Sequence, residues 1–372
     1  MYVAWRGWRH RVTRARGLGR ESACGVRHGA GSPPGTLHRY ALPALLTHAV
    51  AAILANHLTE QAIAEWGAAQ SRAVKQARDF PKGITPHQST LQRLFQRLFQ
   101  RLFDPPVAAG ARPRGSQGVA VDGKAQRGRV PGPRPDDCCH DRAMVLAQEA
   151  IRSTADKAEA ELTVAPALLA RVAWPGRVLT GDALFCQRQL CAQVRAAGDD
   201  DLRLLCDPPA AHTAPLPLLD RRAVRTVETG HGHRDDTRVL VASTDFNDYL
   251  DWPGVAQVFR LERTWRARDR DKRAVQYGIT SLPPDIADAR QLLGHKRGHW
   301  GIENGLQYVK DVVLGEDRSP LHRGAEPSIM ALLRDTALNL LRLAGHRRIA
   351  ARLRSHSRQA EAVLPPLGLT LP

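Results

Sequence analysis

The spacing of apolar residues changes along the chain and separates a helical region from a strand-forming one. Residues 40–103 carry apolar side chains at helical spacing, and one such face holds Ala62, Ile63, Trp66 and Ala69. Beyond residue 118, short apolar runs bounded by turn residues predict strands, and helical segments alternate with them. This order predicts an α/β protein, a mixed sheet flanked by helices that follows an N-terminal helical module.

The apolar runs also predict where the individual elements lie. Strands are expected at 119–124, across 141–152, at 177–182 and at 202–206, and helices near 155–171 and 186–196. A turn rich in Gly and Pro is expected up to about residue 137. A β-rich stretch contains the runs 238–243, 255–261 and 274–281. Helices return at 287, at 298–313 and at 329–343, and we expect the last of them to cover the sheet.

Composition shifts suggest domain limits. The segment 104–118 is rich in Pro and Gly and resembles a linker. We predict a basic, disordered arm, a helical domain, an α/β core in two parts and a β-rich insertion between those parts. Their limits are 1–36 for the arm, 37–110 for the helical domain, 119–215 and 291–372 for the core, and 216–290 for the insertion.

The chain is strongly basic. It has 54 Lys plus Arg against 37 Asp plus Glu, a formal net charge of +17 and a sequence pI of about 10.5. Such an excess is typical of proteins that bind nucleic acid, although a soluble basic protein without that partner is the plain alternative. The arm at 1–36 could neutralise DNA phosphates, or it could have no role.

Several classes of protein are disfavoured. The six cysteines contain no CxxC pair, and adjacent Cys138, Cys139 and His140 are poorly spaced for one tetrahedral metal, so we expect reduced, mostly buried thiols. The apolar stretch Ala41 to Ala55 is too short to cross a bilayer and is interpreted as a core helix. No secretory signal is recognisable, so we expect a cytoplasmic protein without a membrane partner.

Three acidic residues are the best candidates for chemistry. Asp122 and Asp182 each follow a short apolar run, so both are expected at strand ends that face a common edge. Glu303 lies in a segment, 298–317, that we interpret as one helix. At 3.6 residues per turn, Lys296, His299, Glu303 and Lys310 would then share a face. Considered one at a time, each acid has a plain alternative to catalysis: an Asp at a strand end often caps a turn, and a Glu on a helix is often solvated.

Several motifs together resemble a known family. VAVDGK at 119–124, VLTGDALFCQ at 178–187, WPG at 252–254 and HWGIEN at 299–304 are similar to insertion-sequence DDE transposases of the H-repeat-associated group. AIAEWG at 62–67, the pair Glu316 and Asp317, and ALNLLRLAG at 337–345 extend the resemblance from about 37 to 367.

The resemblance implies an RNase H-like catalytic core in which Asp122, Asp182 and Glu303 form the acidic triad. It also implies two Mg²⁺ ions, or Mn²⁺ in their place, held by these carboxylates. The expected partners are double-stranded DNA, both element ends and target, and a second copy of the chain in a synaptic complex. The expected activity is metal-dependent cleavage and strand transfer of the protein's own insertion sequence.

Several basic residues are candidates for contact with DNA, and two alternative functions stay open. Related transposases place Tyr, Arg, Glu and Lys where this chain has Lys296, His299, Glu303 and Lys310. Candidate DNA contacts, each with a solvated alternative, are Lys124, Arg127, Arg234, Arg238, Lys296, His299 and Lys310. His299 could instead orient Glu303. Two other functions stay open, a catalytically decayed DNA-binding remnant and a metal-dependent nuclease without joining activity.

Overall fold

The structure is a computed structural model. It describes residues 40–102, 117–123, 134–141, 144–151, 157–172, 174, 177–196, 203–206, 222–230, 234–245, 247, 250–267, 270–319 and 326–371. The chain forms two compact units, one comprising 1–104, 126–134 and 308–372, the other 105–125 and 135–307. At some positions inside the elements, Asp122 and Glu303 among them, only the main chain is described.

The first unit is helical. Its described α-helices are α1 (Leu42–Leu54), α2 (Glu60–Ala69), α3 (Arg72–Ala77), α4 (Gln88–Leu102), α8 (Glu326–Leu343) and α9 (Ile349–Arg358). Helix α1 is buried along most of its length and packs against α2 and α8. Helix α2 begins at Thr59, whose hydroxyl accepts a hydrogen bond from Ala62 N–H and so satisfies one of the free donors at the helix start.

The second unit contains the sheet. Its strands are β1 (Gln117–Gly123), β2 (Arg134–Asp141), β3 (Met144–Ile151), β4 (Arg177–Thr180), β5 (Arg203–Cys206), β6 (Arg222–Gly230), β7 (Arg234–Ser243), β8 (Gln257–Ala267) and β9 (Arg270–Thr280). They form one sheet in the order β3-β2-β1-β4-β5-β9-β8-β7-β6. Strands β1, β4 and β5 run parallel, whereas β2 and β9 run antiparallel to their neighbours in this group.

Helices cover both faces of the sheet. Helices α5 (Lys157–Leu169) and α6 (Arg188–Ala196) bury one face around Val119, Val121 and Leu179. Helix α7 (Ala289–His299) packs on the other face, where its Leu292 and Leu293 join a core with Val178 and Leu240. Because both faces are buried, the central strands are continuous apolar runs, as parallel strands usually are.

Most predicted elements are confirmed. The structure contains the predicted helical region, the β-rich stretch and most of the single elements. Confirmed strands are those at 119–124, 177–182 and 202–206, and confirmed helices are those at 155–171, at 186–196, from about 287 and at 329–343. The apolar stretch from Ala41 to Ala55 is the core helix α1. Cys186 and Cys191 are reduced and buried, as expected. The mixed α/β class is therefore correct, while the domain limits and the disordered arm stay predictions.

Three expectations are wrong. Strand β2 begins at Arg134, inside the segment predicted as a turn, because pairing with β1 overrides its weak apolar pattern. Helix α8 packs against α1 and α4, whereas the sequence pattern suggested the sheet as its partner. The segment 298–317 is not one regular helix: α7 ends at His299, and wider π-type turns follow at Glu303–Gln307 and Val309–Val313.

No helix in the described part of the chain is long and apolar enough to cross a membrane.

Candidate active site

Two acidic residues follow neighbouring strands at equivalent positions. Strands β1 and β4 are parallel, and their register pairs Ala120 with Thr180. Asp122 is two residues beyond Ala120 and Asp182 is two residues beyond Thr180. The carboxyl ends of parallel strands meet at one edge of a sheet, which is where α/β proteins commonly place a site. The two acids therefore belong to the same edge, as the sequence predicted.

Asp182 sits in a turn directly after β4. Its side chain is exposed, and Oδ1 accepts a hydrogen bond of 2.9 Å from Leu184 N–H. This bond to the main chain two residues on is typical of aspartates that hold a turn. Within the described residues the second carboxylate oxygen accepts no protein hydrogen bond, so it is accessible to an external ligand.

His299, the last residue of α7, joins that helix to the strand ends. Its Nδ1 lies 3.2 Å from the Thr180 hydroxyl, which lies 3.3 Å from the carbonyl oxygen of Val119. The hydroxyl has one proton, so if it donates to the Val119 carbonyl it accepts from Nδ1–H of the imidazole. This chain of bonds ties α7 to β4 and β1, immediately beside the acids.

The imidazole of His299 is neutral near pH 7. Its pKa is lowered to about 4, chiefly by burial and then by the nearby positive charge of Lys296, while Asp182 and a hydrogen bond to the main chain of Thr180 oppose the shift. The influence of Asp182 indicates that its carboxylate lies near the ring. A neutral imidazole can keep one nitrogen as a donor and the other as an acceptor.

Glu303 follows His299 by four residues and begins the first π-type turn. Its side chain, like that of Asp122, lies outside the described part of the structure. Among the side chains that are described, no three His, Cys, Asp or Glu residues form a metal-binding group. The site is thus defined by Asp182, His299 and Thr180 and by the main-chain positions of the other two acids.

The predicted DNA contacts fall into different environments. Lys296 and His299 are 3% and 7% exposed, so neither is a solvated surface charge. Lys124 and Arg127 lie outside the described residues, and Arg234 is described only by its main chain in β7. The DNA-contact assignments of these five residues stay predictions.

Arg238 is a structural cation. It is 8% exposed, and its guanidinium pairs with Glu228 at 3.1 Å and Asp236 at 2.7 Å. The same Asp236 pairs with Arg263 at 2.7 Å, so the group joins β6, β7 and β8. The charge of Arg238 is thus balanced by acids of the protein itself, and its predicted contact with DNA backbone stays a prediction.

Lys310 also has internal partners. Its Nζ lies 2.7 Å from Asp335 Oδ1 and 3.7 Å from Glu316 Oε1, and all three side chains are nearly fully buried. The solvated alternative is therefore wrong, and the proposed phosphate clamp is not supported by this arrangement. The shared face with Lys296 and His299 also fails, because the π-type turns after His299 change the angular spacing of later residues.

Sequence reasoning overlooked two features of the site. Thr180 was treated only as part of an apolar run, although a hydroxyl inside a buried strand beside an acid is a usable signal. Arg263 was also missed; its guanidinium lies over the rings of Trp265 at 4.8 Å and Trp300 at 5.6 Å. This stack joins β8 to the turn that follows α7.

Acids at the ends of adjacent parallel strands, with a neutral histidine bonded to Thr180 beside them, can hold divalent cations. Together with a formal net charge of +17, such a site is typical of proteins that act on nucleic acid. The family described as "Transposase DDE domain" matches residues 138–340, more than half of the chain, and "DDE_Tnp_1-associated" matches 36–107. The chain belongs to the DDE transposase domain family. The matched range includes Asp182 and Glu303 and begins after Asp122.

Curated relatives agree with this assignment. "Putative transposase YncI" of Escherichia coli O157:H7 is 27% identical over 60% of this chain and 61% of that protein. "H repeat-associated putative transposase YhhI" of Escherichia coli K12 is 25% identical over 60% of this chain and 63% of that protein. "Putative protein YbfL" of the same strain is 24% identical over 81% of this chain and 84% of that protein. The alignment thus spans less than two thirds of the YncI and YhhI proteins.

Proposed function

We propose that this protein is a transposase that cuts DNA at the ends of its own insertion sequence and joins the freed 3′ hydroxyl to target DNA. The observation that carries the proposal is the pairing of β1 with β4. Their parallel register assigns Asp122 and Asp182 to one edge of the sheet, beside the helix that leads to Glu303. The family match supplies the chemistry that such an edge would perform.

The sheet supports an RNase H-like core. Its first five strands lie in the order β3-β2-β1-β4-β5, with β1, β4 and β5 parallel and β2 antiparallel to β1. We assign this part to the catalytic core and strands β6 to β9 to the β-rich insertion. Because β9 pairs with β5, the insertion continues the same sheet and is anchored beside the proposed site.

The donor set fits divalent cations. Magnesium and manganese prefer oxygen ligands, and the three proposed ligands, Asp122, Asp182 and Glu303, are carboxylates. The exposed side chain of Asp182 leaves one oxygen available. Bound there, two such ions would supply activation of the attacking hydroxyl and charge stabilisation at phosphorus. Three carboxylates at one edge would repel one another without that positive charge.

The remaining residues of the site position these acids. The bond from Leu184 N–H holds Asp182 in its turn. The His299 imidazole is held by Thr180, and this fixes the end of α7 four residues before Glu303. Because His299 is neutral, it adds no positive charge that would compete with cations for the carboxylates. We therefore assign Thr180 and His299 a positioning role rather than a DNA contact.

Substituting Thr180 with valine tests this positioning role. The change removes the hydroxyl but keeps the size of the side chain, so we expect DNA cleavage to slow by about 10- to 100-fold, as for the loss of other groups that orient metal ligands. Folding stability should fall by only about 1 kcal/mol. Single-turnover cleavage rates and DNA affinity, measured in parallel, separate slower chemistry from weaker binding.

Thr180→Ser is the matched control, because serine restores the hydroxyl. It should keep most of the wild-type cleavage rate, because it retains the hydroxyl and loses only the methyl group; a slow serine variant would show that packing rather than the hydroxyl is responsible. If Thr180→Val cleaves as fast as the wild type, the bond to His299 has no positioning role.

The whole proposal is tested with DNA that carries the element ends. Under this proposal, inverted repeats are expected to flank the coding region, and DNA carrying them would be the substrate. With Mg²⁺ or Mn²⁺ we expect the purified chain to cleave at those ends and to yield joined products with a target duplex. Removing the metal with EDTA should reduce cleavage to background, while a duplex with scrambled ends controls for sequence dependence.

The same assay distinguishes the alternatives. Salt-sensitive DNA binding without cleavage in either metal would favour a decayed DNA-binding remnant. Cleavage without joined products would favour a nuclease. The proposed synaptic homo-oligomer predicts that both ends are held in one complex, which crosslinking of two differently labelled ends would detect.

A further inference from the structure

The end of the first unit carries an unusual density of arginine. Between residues 342 and 358 the chain has six arginines, two histidines and no aspartate or glutamate. The segment comprises the last residues of α8, a short connection and the whole of α9. Neither the expected DNA contacts nor the acidic triad includes any of these residues. The segment itself contains no acidic residue that could offset this charge, so a polyanion is the kind of partner that it fits.

The fold separates the apolar and the basic sides of α9. Ile349, Leu353 and His356 are buried, and their spacing of four and three residues forms one stripe that packs into the unit. Arg354 and Arg358 are exposed. At 100° per residue they lie about 140° and 180° around the helix from Ile349, which is the opposite side. The helix thus presents a basic face away from its own core.

The arginine face has no acidic partner in the described part of the chain. Arg347 and Arg348, which precede α9, are exposed like Arg354 and Arg358. None of these four arginines forms an ion pair with a described residue. The acidic side chains Glu228, Asp236 and Glu262 neutralise arginines of the second unit, so this absence is not general.

Two histidines in the segment show the same excess of positive charge. The pKa of His356 is lowered to about 4, chiefly by burial and next by repulsion from Arg352. The pKa of His346 is also lowered, by burial first and by Arg352 second. No carboxylate raises the pKa of either ring. Positive charge in this region therefore repels further positive charge, and a polyanion would relieve that repulsion.

We propose that Arg347, Arg348, Arg354 and Arg358, together the α9 arginine surface, bind the phosphate backbone of duplex DNA. The identity of this polyanion rests on the proposed function. Guanidinium groups match phosphate oxygens with paired hydrogen bonds. The segment has no Phe, Tyr or Trp on which an unpaired base could stack, which favours duplex over single strands. Contacts of this kind position DNA without reading its sequence.

This surface differs from the acidic site in both place and role. It belongs to the first unit, whereas Asp122, Asp182 and Glu303 belong to the second. Its loss should therefore lower the affinity for duplex DNA of any sequence. The chemistry at the acids should not change. A contact that lies outside the catalytic unit would add affinity for both element ends and target DNA.

The test compares two triple variants in which glutamine replaces exposed cations. The first changes Arg347, Arg354 and Arg358, and the control changes Arg72, Lys82 and Arg290, which are also exposed. Binding of the full chain to a 30-base-pair duplex of random sequence is measured by fluorescence anisotropy over a series of NaCl concentrations, with EDTA present. Circular dichroism checks that each variant keeps the fold.

For the α9 variant we expect the slope of log affinity against log salt to fall by about two to three, because each lost phosphate contact removes about 0.9. Its affinity at moderate salt should fall on the order of tenfold or more. The control should change both quantities much less. Replacing the same three arginines with lysine, which keeps the charge, should retain most of the slope.

Three outcomes overturn the proposal in distinguishable ways. If the wild type binds DNA and the α9 variant keeps its slope and affinity, the surface assignment is wrong while the proposed function survives. If the wild type does not bind duplex DNA even at low salt, the proposed function fails and the surface proposal fails with it. An equal loss in the control variant would also overturn the assignment, because it would show a general effect of charge.

Discussion

Asp182→Asn is expected to reduce metal-dependent DNA cleavage by at least about a thousandfold. Charge stabilisation by a bound metal contributes several kcal/mol to phosphoryl transfer, and each 1.36 kcal/mol corresponds to about a factor of ten in rate. Asparagine has the same shape and retains an oxygen that can accept the hydrogen bond from Leu184 N–H. The turn should therefore survive, and only the negative charge on the ligand is lost. Glu303→Gln should have the same effect.

DNA affinity provides the second measurement for these variants. Neither substitution removes a cation, so binding to element ends should remain nearly intact. Asp251→Asn is a matched control, since Asp251 is almost fully exposed and pairs only with Arg188 at 3.2 Å among the described residues. Cleavage by this control should equal that of the wild type. Unchanged cleavage by either Asp182→Asn or Glu303→Gln would remove that residue from the proposed triad.

Lys310→Met is expected to give the largest loss of stability. The ammonium of Lys310 is buried with the carboxylates of Asp335 and Glu316, and methionine fills a similar volume without the charge. Two carboxylates would then remain buried with less compensation. Breaking a buried ion pair in this way typically costs about 3 to 5 kcal/mol. The midpoint of urea unfolding, followed by far-ultraviolet circular dichroism, measures the change.

Two further variants show whether charge or packing is responsible. Lys82→Met removes the same side chain from an exposed position and should leave the unfolding midpoint nearly unchanged. Combining Lys310→Met with Asp335→Leu removes both charges of the closer pair and should recover part of the lost stability, because a buried pair can often be replaced by apolar residues. A single Lys310→Met variant as stable as the wild type would show that the buried pair does not stabilise this unit.

The position of the strand acids could be predicted because it depends on local pattern. A short, largely apolar run followed by a turn defines a strand and its end, and the acid lies one or two residues beyond the run. Asp182 follows β4 in this way, and Asp122 lies at the end of β1. The β-rich stretch was predictable for the same reason. Strand β2 was not, because its residues form a strand by pairing with β1 rather than by their own apolar pattern.

The environments of the cations could not be predicted from the sequence. Sequence reasoning treats an isolated Lys or Arg as exposed, since burial of a charge is costly without a partner. Arg238 and Lys310 are buried because residues on other elements supply that partner, and the sequence does not show which ones. The π-type turns after His299 could not be predicted either. They change the angular spacing of side chains around the helix axis, and the residue types in the segment do not indicate that change.

By itself, the sequence determined the α/β class, the alternation of elements, the basic character and the three acids that the family resemblance selects. These properties are encoded in periodicity, composition and short motifs. Only the tertiary structure decided that β1 lies beside β4, that Thr180 holds His299, and that Lys310 pairs with Asp335. Such relations join residues far apart in the chain, and they arise because packing and the burial of charge are satisfied in three dimensions.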